Sequence, residues 1–238
     1  MNKKELAARY PGLVRFACGI YNLPNRFRIR SHGNRIEAPR AMLKNTRIRI
    51  RGKNNTLIIG DFSQLQNVTV QVSGDNNRIT LGSWSTFRGT EIYVEQSGNQ
   101  VRVGDHAHFY GKAELACMEG TSLSIGSDCL CSSNIQMRTG DSHAVLDRSG
   151  CRINPSRDIC LGDHVWLGRD VSLLKGAQVG DHCIVGMGAL VTGKFPESNC
   201  SIAGNPARII RRDVDWSIHH IPVGAQAPDF NSPEPEEK

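Results

Sequence analysis

Residues 161–192 read L-G-D-H-V-W, L-G-R-D-V-S, L-L-K-G-A-Q, V-G-D-H-C-I, V-G-M-G-A-L and then V-T. A branched aliphatic residue returns at every sixth position: Leu161, Leu167, Leu173, Val179, Val185 and Val191. Four residues after each of the first five comes a small or β-branched one, Val165, Val171, Ala177, Cys183 and Ala189. A helix cannot gather such a set on one side, because six residues turn it by about 600°, well off a whole number of turns. Short flat strands joined by tight corners can, by stacking one hexad above another as a solenoid. Glycine in second place (Gly162, Gly168, Gly180, Gly186) suits a backbone that bends sharply there.

Upstream the period is longer. Ile59-Gly60-Asp61, Leu81-Gly82-Ser83, Val103-Gly104-Asp105 and Ile125-Gly126-Ser127 stand 22 residues apart, and Asn55, Asn77 and Asn99 repeat with them. Such a coil is three hexads plus a four-residue corner, S-G-D-N-N at 73–77 and S-G-N-Q at 97–100, both turn chemistry. Ile36 begins an earlier, degenerate coil. After Leu161 the period tightens to 18. The 36 residues between Ile125 and Leu161 hold no hexad match around His143, so they read as one coil plus an extruded loop over 138–158. A long excursion from a regular solenoid is usually functional.

The expected organisation is a cap over 1–33, a solenoid over 34–212 and a mobile acidic tail over 213–238. Within the solenoid, 22-residue coils run to about 137, 18-residue coils fill 159–198, and 199–212 close the repeat. In the cap, a short helix over Lys3–Tyr10 should stop at Pro11, leaving the apolar stretch Leu13–Leu23 to cover the open end.

Modest hydrophobic content, few aromatics and plentiful glycine fit the thin core of a prism. No apolar run is long enough for a membrane span, and the N-terminus lacks a secretory signal, so a cytoplasmic location is expected. Most of the eight cysteines read as reduced core fillers, with Cys129 and Cys183 at small-residue rungs. Cys129-x-Cys131 lacks the second pair of a zinc site. Gly162-Asp163-His164 and Gly180-Asp181-His182 lie one turn apart and read as repeated turn chemistry, so no metal is expected. The net charge of +6 is uneven: residues 26–53 carry eight Arg and two Lys against one Glu. Such a region suits nucleic acid, an acidic membrane surface or an anionic polysaccharide, or is a solvated face. No nucleic-acid-binding motif accompanies it.

Gly140-Asp141-Ser142-His143 through Asp147, then Asn154-Pro155, then Val165-Trp166-Leu167-Gly168, and finally I-A-G-N-P-A-R-I-I-R at 202–211 form the decisive constellation. Together they resemble the hexapeptide-repeat acyltransferases, in particular the capsular polysaccharide and polysialic acid O-acetyltransferases. The resemblance implies a left-handed parallel β-helix, an all-β solenoid with an extruded catalytic loop. It implies a homotrimer, with acetyl-CoA lying in a groove between subunits. It also implies His143 as catalytic base, Trp166 lining the acetyl-CoA site, and Gly168, Gly186, Met187 and Gly188 letting the pantetheine lie against backbone. Lys194, Arg208 and Arg211 would meet the coenzyme phosphates, for which arginine offers a bidentate fork.

The chemistry of the residues agrees. Acetyl transfer to a sugar hydroxyl needs a proton taken from a weakly acidic alcohol, and imidazole is suited to that near neutrality. Asp141 or Asp147 would orient the other ring nitrogen. The expected acceptor is a sugar hydroxyl of a bacterial capsule, lipopolysaccharide or exopolysaccharide, with the basic 26–53 region holding a polyanionic polymer. A small acceptor (a free sugar, an antibiotic, serine or a nucleotide amino-sugar) is the alternative. A zinc carbonic anhydrase of the same fold would need three converging histidines, which His143, His164 and His182 are not spaced to supply, and a non-catalytic scaffold would show no turnover.

Overall fold

In the solenoid each short apolar stretch becomes a strand, with aliphatic residues turned inward and polar ones outward; Arg47–Arg51 alternates exposed and buried side chains along its length. The structure is a computed structural model and describes residues 5, 9–31 and 33–225. Successive strands fall in rotation on three faces of a parallel β-helix. The first face holds eight strands, from Ile29–Arg30 and Arg47–Arg51 through Ala113–Met118 and Ile135–Arg138 to Leu190–Val191. The second holds eight, from Arg35–Glu37 to Lys194–Phe195. The third holds nine, from Met42–Lys44 through Trp166–Leu167 to Cys200–Ala203, where Arg208–Arg212 turns back antiparallel and closes the sheet.

The strand register matches the expected periods. Thr56 pairs with Arg78 and Gln100 with Ser122, an offset of 22. Leu123 pairs with Ile159 and Leu130 with Trp166, so the 36 residues between them make a single coil with an excursion. Cys160 pairs with Gln178 and Trp166 with Ile184, an offset of 18. The last coil is shorter than expected: Lys194 lies 16 residues after its partner Gln178. One upstream coil carries an extra residue, with Ala113 opposite Thr90.

Aliphatic side chains fill the prism, and Phe87 and Phe109 stack inside it with ring centroids 5.1 Å apart. The repeated asparagines are buried connectors between coils. Asn55 Oδ1 accepts from Asn77 N at 2.9 Å, and Asn77 Oδ1 accepts from Asn99 N at 2.9 Å. Asn77 Nδ2 donates to the Gln96 carbonyl at 2.9 Å, so both ends of the amide are satisfied. The Gly-Asp-His repeat works similarly: Asp163 Oδ1 accepts from Ser127 N at 2.7 Å and Asp181 Oδ1 from Asp163 N at 2.8 Å. A Cβ on Gly162 would lie 2.1 Å from Asp181 Oδ1, so that close approach requires glycine. All the cysteines are free thiols, and Cys18, Cys117, Cys129, Cys131, Cys183 and Cys200 are buried.

The two ends add to the sequence reading. The helix expected over Lys3–Tyr10 falls largely outside the described residues, of which Glu5 and Arg9 are helical and Tyr10 is not, and a separate helix, α1 (Pro11–Asn22), begins at Pro11. Proline at the first helical position gives up only an amide that has no intrahelical partner, so it starts a helix as readily as it ends one. A 3-10 turn, Leu23–Arg28, continues the cap. Asn22 accepts from Leu43 N at 2.7 Å and donates to the Ala41 carbonyl at 2.9 Å; Asn25 does the same for Thr46 at 2.7 Å in both directions. Two amides thus satisfy the backbone edge of the first coil. At the other end, residues 213–218 do not form a free tail. Val214 N donates to the Asn199 carbonyl at 3.0 Å, and Trp216 is buried, its indole 4.3 Å from the His164 ring and its Nε1 donating to the His164 carbonyl at 2.8 Å. No helix among the described residues is long and apolar enough to cross a membrane.

Candidate active site

The excursion leaves the solenoid between Ile135–Arg138 of the first face and Ile159–Leu161 of the second. Thr139 is buried and bonds to Ala116 of the preceding coil, its amide donating at 3.0 Å. A Cβ on Gly140 would meet Ser156 Oγ at 2.1 Å and Met118 Sδ at 2.8 Å, so the outgoing and returning strands of the loop pass in contact. The arm is a small hairpin. Ile153 N donates to the Val145 carbonyl at 2.9 Å, Leu146 bridges Arg152, and the tip turns through Gly150 at φ 82°.

Asn154 holds this arm together. Its Nδ2 donates to the His143 carbonyl at 2.8 Å and to Asp141 Oδ2 at 2.7 Å, while its Oδ1 accepts from Val145 N at 2.7 Å and Arg152 Nε at 3.1 Å. The residue is 8% exposed, although the hairpin around it is open to solvent. Arg152 in turn makes a bidentate pair with Glu119, at 2.5 and 3.0 Å, and Ser156 Oγ donates to the same carboxylate at 2.7 Å. That pairing drives the Glu119 carboxyl down to about 2. Arg138 pairs with Glu114 and donates to Ser142 Oγ at 3.0 Å, and Ser142 sits at φ 62°. His143 is therefore held through its carbonyl, and its exposed ring is hydrogen-bonded to no described residue.

Neither aspartate reaches that ring in the chain. Asp141 is paired with Lys175 and bonded to Asn154, interactions that hold its carboxyl below the usual carboxylate range. Asp147 caps the hairpin tip, accepting from Ser149 Oγ at 2.6 Å and from the Ser149 and Cys151 amides at 2.9 Å; these bonds lower its pKa too. Both carboxylates shape the arm that carries His143. The sequence reading left Asn154, Lys175, Arg152 and Glu119 without a role.

The other expected residues gather on the third face and the corner beyond it. Trp166, Ile184, Ser201 and Arg211 stand opposite one another on four successive strands, one outward column capped by a guanidinium. Trp166 is 37% exposed, with the buried Trp216 ring at 6.0 Å. Gly168 N donates to the Val185 carbonyl and Gly186 N to the Ile202 carbonyl, so Gly168, Gly186, Met187 and Gly188 stack on one corner, with Met187 72% exposed. Arg208 lies opposite Ala203 on the closing strand. Lys194 departs from this group: it begins a second-face strand opposite Gln178.

His143 and Trp166 thus belong to different parts of one prism. The arm leaves the corner between first and second faces, while Trp166 lies on the third and the glycine corner leads back to the first. Two concavities of about 400 Å³ lie elsewhere, along Gln71–Gln96 and beside Tyr21 and Asn45. One further group of potential ligand atoms, on His164, His182 and Asp215, falls within 4.8 Å. It offers two imidazoles and one carboxylate; His182 Nδ1 is bonded to Asp215 at 3.1 Å, and His164 Nε2 lies 3.1 Å from the Trp216 carbonyl.

Residues 161–193 match the bacterial transferase hexapeptide model, described as six repeats. Among solved structures, the polySia-specific acetyltransferase NeuO is 32% identical, with a TM-score of 0.72 over 82% of this chain and 88% of that one. The chain belongs to the hexapeptide-repeat acyltransferase family. The polysialic acid O-acetyltransferase OatWY is similar to this hexapeptide-repeat protein at 27% identity and a TM-score of 0.75, covering 81% of this chain and 90% of that one. A curated polysialic acid O-acetyltransferase of Escherichia coli O1:K1 is 37% identical over 97 residues, 40% of this chain. The chain spans 31% of that curated relative's length.

Proposed function

We propose that this hexapeptide-repeat protein transfers acetyl from acetyl-CoA to a sugar hydroxyl of a bacterial surface polysaccharide, with His143 as general base. A neutral ring nitrogen of His143 takes the hydroxyl proton as the sugar oxygen attacks the thioester carbonyl. The carbon–sulfur bond then breaks, and the imidazolium returns the proton to the departing thiolate. No acyl-enzyme forms. The observation that carries this reading is the contrast within the arm: the His143 backbone is clamped by Asn154 while its ring stays open for a substrate. Asp141 and Asp147 serve as positioning residues, since their oxygens are engaged elsewhere.

Trp166, the glycine corner, Arg208 and Arg211 would bind the coenzyme, with the indole along the pantetheine and the guanidiniums on phosphates. Because arm and column occupy different parts of one prism, the site is composite, and His143 of one copy serves the Trp166 column of the next around a three-fold axis. The exposed Val145, Leu146 and Ile153 of the arm suit a neighbouring copy. On its second-face strand, Lys194 would join the coenzyme only from another copy. Arg47, Arg49 and Arg51 project from the same face as Arg138, giving a polyanionic acceptor a basic approach.

Two measurements test this reading. Thiol release from acetyl-CoA with capsular polymer should vanish in His143→Ala and in Trp166→Ala. Co-assembling the two variants should restore about one site in four, because each site draws on two copies. No recovery on co-assembly would refute the composite site, and full activity of His143→Ala would refute the base.

A further inference from the structure

The cap places its residues in the opposite sense to an ordinary surface helix. Its inward positions are Cys18, Asn22 and Asn25, at the i, i+4, i+7 spacing of one helical face. All three are engaged on the first coil: Cys18 Sγ lies 3.6 Å from the Arg40 carbonyl, and the two asparagines bond Leu43, Ala41 and Thr46. The opposite stripe is Leu13, Phe16, Ile20, Leu23 and Phe27. Each of these is more than half exposed, Phe16 at 66% and Phe27 at 91%. Ordinary core formation would bury such a stripe, and none of the described residues covers it.

The charges around the stripe are of one sign. Arg15, Arg26, Arg28 and Arg30 are exposed and carry no ion pair among the described residues. Between Glu5 and Glu37 the sequence has no acidic residue at all. A second copy docking through the same stripe would bring arginine against arginine, a juxtaposition that disfavours self-association. A surface of anionic lipid headgroups satisfies both features at once, accepting the apolar side chains below the headgroups and the guanidiniums among them. Tyr10 and Tyr21, both half-exposed beside the stripe, have the amphipathic rings that settle at such a boundary.

We propose that the α1 cap is an interfacial anchor that lays the open end of the solenoid on an anionic membrane surface. The two asparagine clamps fix the cap rigidly, so the prism axis stands in a set orientation to the bilayer. A single stripe of this size gives reversible attachment, stronger at low salt.

The test uses the full chain with vesicles of mixed phosphatidylglycerol and phosphatidylcholine, against vesicles of phosphatidylcholine alone. Sedimentation with anionic vesicles is expected, weakening as salt rises. Phe16→Asp combined with Ile20→Asp should lower partitioning at least tenfold without changing the melting temperature, since both side chains are solvent-exposed. Arg26→Gln should lower it about fivefold, the share of one cation near an anionic surface. Equal partitioning to neutral and anionic vesicles overturns the proposal, as does wild-type binding by the double aspartate variant. A double variant that instead sediments as a smaller assembly in lipid-free buffer also overturns it, by naming a second copy as the occupant.

Discussion

Replacing Asn154 with alanine isolates the device that positions His143 without touching the ring. The amide makes four bonds, two to neutral backbone groups of His143 and Val145 and two to the charged Asp141 and Arg152. At about 1 kcal/mol for each neutral bond and about 2 for each charged one, the nominal sum is about 6 kcal/mol. Much of that is recovered. Asp141 keeps Lys175, Arg152 keeps Glu119, and water reaches an arm this exposed. A residual loss of about 2 to 3 kcal/mol in holding the arm is expected, a fall in kcat of about 30- to 150-fold.

Steady-state acetyl transfer read by thiol release measures it. KM for acetyl-CoA should stay near wild type, because Trp166, Arg208 and Arg211 lie on another face. The urea midpoint should barely move, since the arm lies outside the prism core. Asn154→Asp sharpens the test: it is isosteric and keeps the two acceptor bonds, but turns a carboxylate oxygen toward Asp141 and the His143 carbonyl. It should lose at least as much as alanine. A kcat within threefold of wild type in either variant would refute the clamp, as would a loss that merely tracked the urea midpoint.

Three further outcomes follow from the same contacts. Arg211→Ala should raise KM for acetyl-CoA at least tenfold with kcat little changed, as expected of a phosphate contact remote from the reacting carbon. Asn77→Ala leaves the buried Asn99 N without its partner, while the Gln96 carbonyl keeps the Asn99 amide, and should cost about 2 kcal/mol in urea unfolding. The pH response of the arm is set by Glu119, whose carboxyl lies at about 2 against an ordinary 4.5. A depressed carboxylate stabilises above the ordinary value and loses that stabilisation as pH falls through the folded one. Pepsin cleavage within 139–158 should therefore rise between pH 4.5 and 2, whereas Glu119→Gln should be cut throughout that range.

Coil architecture was legible because one local rule repeats. Each hexad states its own inward residue and corner, so errors at one rung are corrected by the next, and the change from 22 to 18 residues located the excursion before any coordinates. His143 was legible as the imidazole in the one break. The partners that hold it were not. Lys175 meets Asp141 across 34 residues and Arg152 meets Glu119 across 33, contacts that arise only once neighbouring coils are stacked. No spacing along the chain announces them, whereas an adjacent Asp141 or Asp147 looks like a natural partner for the ring. The same blindness applied to Trp216, whose acidic surroundings read as tail while its indole lies on the His164 ring. The family resemblance put Lys194 beside Arg208 and Arg211, whereas a shortened final coil sets it on the second face.

A stacked prism has little use for a flexible catalytic loop, and this arm is not one. Its charged clamps reach back to the solenoid: Arg152 to Glu119 and Asp141 to Lys175. Each anchor lies on the coil before or after the break, so the ladder that gives the prism its rigidity also fixes the excursion. The same ladder sets the arm at one corner and the Trp166 column on another face. On the composite site proposed above, two rigid half-sites would meet by assembly of copies rather than by a hinge or lid.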